Sequence, residues 1–223
     1  VNALSENVKA EVYKDGKIYQ QEYTRGKPQY SVKEVGTSDK RGTRITFKAD
    51  HQIFQSTVFS RRTIIDHVRQ QAYLTKGIHI NIIDSSDPEK LPLEDKYYPA
   101  QYSFHFEGGI AAYVSHLVRH KKPLIGEPIY FSKTIGESFV EVSFIYIDDY
   151  NEHVYSFANN IHTIEGGTHL TGFRSAITRV ITEYAKKLAA KDSDVLITGE
   201  DIREGLTAVV SVKLPAPECE GQT

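Results

Sequence analysis

The chain has 223 residues, of which 39% are hydrophobic and 25% charged, enough to bury one large core or two modest ones. Its formal net charge of −2 excludes a basic surface overall, so contact with nucleic acid or an anionic membrane requires a local patch. The single cysteine, Cys219, excludes an internal disulfide. The sequence has no apolar run long enough to span a membrane and no signal-peptide pattern. We therefore expect a globular cytoplasmic protein without a membrane partner.

The two ends of the chain predict a piece of a longer protein. The opening "VNALSENV" reads as the last turns of a helix already under way, and the chain contains no methionine. The polar ending "PAPECEGQT" follows directly after a predicted strand. We prefer this interpretation to a processed protein that happens to lack methionine.

Strands are predicted for the start of the chain. Asp15-Gly16 lies between two alternating runs, which is the strongest short signal for a hairpin, so Val8–Tyr23 is predicted to be one. In "GTRITFKAD" the residues Thr43, Ile45 and Phe47 alternate with polar ones. This period of two predicts a strand that is covered on one side.

A helix and a boundary are predicted next. The apolar spacing over Ser56–Lys76 predicts a helix, and Gly77 is its C-cap candidate. Ile78–Asp84 is predicted to be a strand. The segment Ser85–Tyr102 is rich in proline and in charges of both signs, which predicts a domain boundary or an exposed insertion.

The second half predicts a β-β-α-β arrangement of its own. "FHFEGGIAAYVSHLVRHKK" predicts a strand end, a Gly-Gly hinge and a short helix. "ESFVEVSFIYIDD" and "HVYSFANNI" are predicted to be a strand pair turned at Asp148–Glu152. A helix with an apolar stripe follows, and then the buried strand "LTAVVSVKLP". The stripe consists of Ile177, Val180, Ile181, Tyr184 and Leu188.

The sequence predicts no catalytic centre. His153, His162 and His169 lack the spacing of a metal site, and neither a Gly-x-Ser-x-Gly elbow nor a Walker loop is present. Carboxylates in "EDIREGL", Glu200–Leu206, suit acid/base chemistry or helix capping, and we favour capping.

Several motifs carry a resemblance to a known family. They are "VNALS", "GTRITFKAD", "FEGGIAAYV", "FANNIHTIEGGTHLTGFRSAITR", "GEDIREGLTAVVSVKLP" and "EGQT", and they occur in the family's order. The chain resembles the ATPase component of bacterial type IIA topoisomerases, the family that comprises DNA gyrase B and its counterpart in topoisomerase IV. The likeness extends from Val1 to Thr223.

The resemblance implies an α+β fold. Residues 1–100 would be the C-terminal portion of a Bergerat-type (GHKL) ATPase domain, and residues 101–223 a transducer domain similar to domain 2 of ribosomal protein S5. In the family the residues that activate water, hold Mg²⁺, read adenine and cover the phosphates precede "VNALS". The parent protein is therefore expected to use ATP and Mg²⁺ although this chain lacks their main ligands and has no catalytic residue.

The resemblance also implies individual site residues. Thr43 matches the threonine at the base of the adenine pocket, where a hydroxyl helps to read the amino group. Gln222 matches the first residue of a Gln-Thr-Lys loop that reaches the γ-phosphate, and the lysine lies beyond Thr223. Arg174 matches a basic residue that faces the cavity through which DNA passes, and Arg179 and Lys186 are predicted to face DNA with it. A salt bridge within the domain is the alternative for Arg174.

The stretch "NNIHTIEGGTHL" is predicted to be a rigid corner rather than a reactive centre. Its paired glycines allow a tight turn ahead of a helix that starts near Thr168, and Thr168 and Asn160 are suited to satisfying main-chain groups left open by the bend.

Two other functions stay open at this point. The expected function is that of a topoisomerase fragment, with DNA, the breakage-reunion (A) subunit and a second copy of the parent ATPase region as partners. A non-enzymatic nucleic-acid-binding module is the alternative, although the strand "ESFVEVSFIYIDD" is acidic and apolar where such a module needs a basic, aromatic face. A paralogue without a topoisomerase role is the third.

Overall fold

The chain forms two compact units in the computed structural model, which describes residues 1–188 and 197–218. The first unit is Val1–Ser60 and the second is Arg61–Thr223. The division at residue 100 that the resemblance implies between an ATPase portion and a transducer portion stays a prediction. In the described part of the chain, no helix combines the length and the apolar character needed to cross a bilayer.

The first unit is an antiparallel sheet in the order β3-β2-β1-β5, with β4 also paired to β2. The predicted hairpin is confirmed as β1 and β2, and Asp15 (φ 55°) and Gly16 (φ 77°) have the two positive φ angles of a tight hairpin turn. The opening residues differ from the prediction, because they form a 3-10 turn of three residues and strand β1 begins directly after it. These elements are the 3-10 turn Asn2–Leu4, β1 Ser5–Lys14, β2 Lys17–Thr24, β3 Lys27–Pro28, β4 Lys33–Thr37 and β5 Gly42–Ala49.

Strand β5 has the predicted alternation but lacks the predicted cover. Ile45 and Phe47 keep 52% and 45% of their surface exposed. The Phe59 ring meets the Phe47 ring edge-on, with 6.1 Å between centroids. Sequence alternation shows which face of a strand is apolar, whereas burial depends on a second layer that packs against it.

The second unit begins with a helix and a strand pair. The predicted helix is confirmed as α1, although it begins at Arg61 rather than at Ser56, and Gly77 (φ 78°) follows it in the left-handed conformation expected of a C-cap. Strands β6 and β7 pair antiparallel, so the irregular segment Ser85–Tyr102 connects neighbouring strands. Their bounds are α1 Arg61–Leu74, β6 His79–Ile83, β7 Gln101–His105 and α2 Gly109–Leu117, with 3-10 turns at Pro88–Lys90 and Leu93–Tyr97.

A second sheet, in the order β11-β10-β12-β9-β8, carries the rest of the unit. Strand β12 is antiparallel to β9 and parallel to β10. The parallel connection from β10 to β12 runs through helix α3, as a crossover between parallel strands requires. The elements are β8 Ile129–Ile135, β9 Ser138–Tyr146, β10 His153–Ala158, β11 Ile161–His162, α3 Thr168–Leu188, α4 Gly199–Arg203 and β12 Leu206–Lys213.

The predicted pairing of "ESFVEVSFIYIDD" with "HVYSFANNI" was wrong. These segments are β9 and β10, and β12 lies between them. Seven of the eight residues of β12 are buried, so this strand needs hydrogen-bonded neighbours on both edges and packing on both faces. Only the central position supplies both.

Apolar clusters cover the two faces of this sheet. On one face Val114 of α2 packs with Ile145, Phe157 and Val209. On the other, Phe173 and Ile177 of α3 pack with residues of β9 and β12, among them Val142, Leu206 and Val210. Burying each of these side chains contributes about 1.5–3 kcal/mol. The second cluster fixes which face of α3 turns outward.

The predicted apolar stripe of α3 is only partly buried. Ile177 is buried and Ile181 packs against the same cluster. Val180, Tyr184 and Leu188 are exposed by 58%, 63% and 69%. The helix therefore packs on the sheet as far as Ile181, and Tyr184 and Leu188 beyond it lie outside this core.

Candidate functional site

A corner of the chain, residues 159–168, places the start of α3. Asn159 and Asn160 have φ angles of 49° and 66°, and Gly166 and Gly167 have 85° and 139°. These left-handed values are easiest for glycine and asparagine, which explains the paired residue types. The predicted helix start at Thr168 is confirmed.

The asparagines of this corner have different roles from the predicted ones. Asn159, rather than Asn160, satisfies main-chain groups, because its amide nitrogen donates to the Leu214 carbonyl (3.0 Å) and its amide oxygen accepts from the Leu214 N–H (2.8 Å). The Asn160 side chain donates instead to the Thr75 hydroxyl at the end of α1 (3.0 Å). The corner is tied to β12 on one side and to α1 on the other.

One surface groove of about 440 Å³ lies along α3. Its α3 residues recur at spacings of three and four, which places them on one face of the helix. The lining consists of arginines and hydroxyl-bearing residues: Thr171, Arg174, Ser175, Thr178, Arg179 and Arg203. A groove with these groups offers hydrogen-bond donors and positive charge to an anion.

Arg174 forms an ion pair inside its own unit. Its Nε donates to Oε1 of Glu152 over 2.8 Å, and Oε2 of the same carboxylate lies 3.5 Å from Nε of Arg203. The Arg174 side chain is 42% exposed, so the pair leaves much of this side chain open to solvent. The salt bridge that was the alternative for Arg174 is therefore present, and the residue also lines the groove.

Helix α4 positions Arg203 beside the groove on α3. The helix begins with a reciprocal cap, in which the Thr198 hydroxyl accepts from the Asp201 N–H (3.2 Å) and the Asp201 carboxylate accepts from the Thr198 N–H (2.8 Å). The Thr198 hydroxyl and backbone N–H lower the pKa of Asp201. The interpretation of this segment's carboxylates as capping groups is confirmed for Asp201.

Close packing at Gly199 allows Arg203 to approach α3. A side chain at Gly199 would meet Nη1 of Arg203 at 3.0 Å and Cγ2 of Thr178 at 3.4 Å. Sequence reasoning missed Arg203, because nothing in its own neighbourhood indicates contact with α3. The capping pattern of Thr198 and Asp201 was the available signal for α4, although it does not show where the helix lies.

The other predicted site residues are distributed over the chain. Thr43 lies on β5 in the first unit, exposed and opposite Val12. Arg174 and Arg179 share the groove, whereas Lys186 lies in the last turn of α3 and is not among the groove residues. Gln222 lies outside the described residues.

The three histidines that were considered as metal ligands, His153, His162 and His169, are held by packing and polar contacts. Burial lowers the pKa of His162 and of His169. The His162 ring packs 5.1 Å from the Phe157 ring, and His153 Nε2 lies 3.4 Å from the Asp149 carboxylate. Within residues 1–188 and 197–218, no three His, Cys, Asp or Glu side chains cluster as metal ligands do.

Comparison with known proteins identifies the family of this chain. The family model described as DNA gyrase B matches residues 109–223. The DNA gyrase B protein of Clostridium acetobutylicum is 48% identical over 225 residues, which cover 100% of this chain and 34% of that protein. The chain thus spans about a third of the length of this relative.

Solved structures agree with the sequence relatives. The 43K ATPase domain of Thermus thermophilus gyrase B, solved with an aminocoumarin, is 37% identical with a TM-score of 0.80, covering 98% of this chain and 58% of that one. The topoisomerase IV ATP-binding domain of Francisella tularensis, solved with a small-molecule inhibitor, is 25% identical with a TM-score of 0.78, covering 100% of this chain and 58% of that one. The predicted α+β fold class is confirmed. The chain belongs to the DNA gyrase B family.

Proposed function

We propose that this chain is a coupling portion of the ATP-binding subunit of a type IIA DNA topoisomerase, which relays ATP binding and hydrolysis to DNA strand passage. The family membership supports the parent activity, and the groove on α3 is the observation that carries the proposed role of this portion. In this proposal residues 1–100 complete the ATPase domain and residues 101–223 are the transducer domain.

The parent protein in this proposal is a cytoplasmic, ATP- and Mg²⁺-dependent enzyme. It works as a dimer of its ATPase regions together with DNA and a breakage-reunion subunit. Thr43 would contribute a hydroxyl to adenine recognition and Gln222 would approach the γ-phosphate. The groups that perform hydrolysis would come from the rest of the ATP-binding subunit.

The groove supports a contact with the DNA backbone rather than with base edges. Arginines and hydroxyls bind phosphate oxygens, and such contacts position DNA without reading its sequence. The chain has a net charge of −2, so contact with DNA requires a local basic patch. The three arginines in this groove support such a patch. Few contacts are involved, so the interaction would be transient and would weaken with added salt.

The test replaces Arg174 in a complete ATP-binding subunit assembled with its breakage-reunion partner. Arg174→Gln is expected to lower the DNA-stimulated ATPase rate and the strand-passage rate by about threefold to tenfold at low salt, because one phosphate contact is lost. Nucleotide binding should stay close to wild type. Arg62→Gln, which removes an exposed arginine outside the groove, is the matched control.

One result would contradict the role of Arg174. If both rates match wild type while the thermal stability of the variant falls, Arg174 serves only as the ion-pair partner of Glu152. Comparing low with moderate salt adds a second criterion, since a phosphate contact predicts a smaller variant effect at the higher salt concentration.

A further inference from the structure

The groove on α3 combines groups that suit a phosphate with a hydroxyl that lacks a partner. All six lining residues carry a guanidinium or a hydroxyl. The Thr178 Oγ1 is nearly inaccessible to solvent and has no hydrogen-bond partner among the described residues. A buried hydroxyl usually finds a partner, so the unpaired Thr178 hydroxyl marks the contact between α3 and α4 as a place where hydrogen bonding is incomplete.

Glu152 forms ion pairs with two of the three groove arginines, Arg174 and Arg203. Its two carboxylate oxygens approach the Nε atoms of Arg174 and Arg203 at 2.8 and 3.5 Å. The carboxylate thus bridges two guanidinium groups from different helices, as two oxygens of a phosphate would. Glu152 itself is not among the groove residues and reaches the arginines from the turn before β10.

We propose that Glu152 is an internal counter-ion for a two-arginine anion site, and that a DNA phosphodiester displaces it to bind Arg174 and Arg203 together. This inference rests on the proposed function and extends it, since it adds Arg203 as a contact and Glu152 as the group that sets the affinity. The exchange leaves neither guanidinium unpaired, because two phosphate oxygens take the places of the two carboxylate oxygens. The bridge keeps both side chains oriented while the groove is empty, and the planar fork of each guanidinium fits either anion.

Binding of a 20-base-pair duplex to the 223-residue chain at low salt tests the proposal. Glu152→Gln keeps the size of the side chain and an acceptor oxygen but removes the competing charge, so the duplex should bind about threefold to fivefold more tightly. Glu127→Gln makes the same charge change on an exposed loop and is the control. A gain with Glu152→Gln that Glu127→Gln does not reproduce supports the proposal, and equal affinities overturn it.

Arg203 provides an independent arm of the test. Arg203→Gln should weaken duplex binding by about as much as Arg174→Gln and should lower the salt dependence by about one phosphate contact. Arg62→Gln is again the control. Arg203→Lys keeps the charge but loses the planar fork, and an intermediate affinity is expected. Equal binding by Arg203→Gln and Arg62→Gln would overturn the assignment of Arg203.

Inorganic phosphate distinguishes a free phosphate site from a site for the DNA backbone. We expect phosphate to compete with the duplex only weakly, with the same ranking of variants. Variant-dependent binding of phosphate without any effect on duplex binding would overturn the proposal for DNA. Circular dichroism melts confirm that each variant is folded at the assay temperature, and a loss of stability in Glu152→Gln without gain in affinity would make Glu152 purely structural.

The outcomes separate this inference from the proposed function. If Arg174→Gln impairs coupling in the complete enzyme while Glu152→Gln and Arg203→Gln bind duplex like their controls, only the inference fails. If the groove variants change duplex binding as expected while Arg174→Gln leaves coupling intact, the anion site exists and the proposed role in strand passage fails.

Discussion

At the scale of single residues, Gly205 occupies a position where neighbouring backbone atoms leave no room for a side chain. Gly205 has a φ of 70°, and a Cβ there would lie 2.3 Å from the Ile147 carbonyl oxygen and 3.0 Å from that of Asp149. The Ile147 N–H also donates to the Gly205 carbonyl over 2.9 Å. The entry into β12 therefore has no space for a side chain.

Gly205→Ala is expected to destabilise the chain by about 2–4 kcal/mol, because the left-handed backbone is strained and the close contact forces the strands apart. Gly136→Ala is the control, since Gly136 also has a positive φ (58°) but no atom within 4 Å of the added Cβ. It should cost only about 1 kcal/mol. Urea denaturation measures both, and equal losses would show that the contacts at Gly205 relax without cost.

The environment of Asp84 predicts that the stability of the fold falls at acidic pH. The Ser86 side chain and backbone N–H, together with the buried Arg61 guanidinium at 2.8 Å, lower the pKa of Asp84 from 3.8 to about 2. A pKa lowered by folding gives a stabilisation that is complete above the unfolded value and is lost as the pH falls toward 2. The difference in unfolding free energy between wild type and Asp84→Asn should therefore shrink between pH 4 and 2. A constant difference across that window would contradict this assignment.

At the scale of elements, the irregular segment Ser85–Tyr102 caps a helix. Both carboxylate oxygens of the fully buried Asp95 accept from the first N–H groups of α1, those of Arg61 (3.0 Å) and Arg62 (3.1 Å). The Arg61 guanidinium donates in turn to the Tyr98 carbonyl oxygen. An insertion that looks loose in sequence is thus fixed to the start of α1.

Asp95→Ala is expected to destabilise the second unit by about 1–3 kcal/mol, since two helix N–H groups lose a buried acceptor. Asp87→Ala is the control, because Asp87 caps only an exposed 3-10 turn through the Glu89 N–H. It should change stability by less than about 1 kcal/mol. Thermal or chemical unfolding followed by circular dichroism compares them, and similar effects would mean that the α1 cap contributes nothing special.

At the scale of the whole molecule, we expect the 223-residue chain by itself to bind ATP weakly and to hydrolyse none. Its sequence contains neither a Walker loop nor the family's lid, and the residues matched to nucleotide contacts are only Thr43 and Gln222. Isothermal titration should give no micromolar affinity, and light scattering should detect no ATP-dependent dimer. A full-length member of the family is the positive control for both measurements, and a micromolar affinity of this chain would overturn the expectation.

Local patterns in the sequence determined a large part of this fold. The Asp15-Gly16 turn, the C-cap at Gly77 and the start of α3 at Thr168 were predictable because each depends on backbone preferences within a few residues. The family was identifiable for a related reason, since its motifs are contiguous. Arg174 was assigned to a DNA-facing surface through the match to the family's motif, whereas helix periodicity alone does not place Arg174 and Arg179, five positions apart, on the same side of α3.

Tertiary structure alone decided the strand order and the composition of the site. Strand β12 lies between β9 and β10 because both of its faces are buried and both of its edges need hydrogen-bonded neighbours. The sequence of a single strand does not show which strands will be those neighbours. Arg203 joins Arg174 through Glu152, and Asp95 caps α1, because folding brings together residues that are distant along the chain. Sequence periodicity determines which side of an element is apolar or charged, whereas the neighbour that meets that side depends on how the whole chain buries its apolar surface.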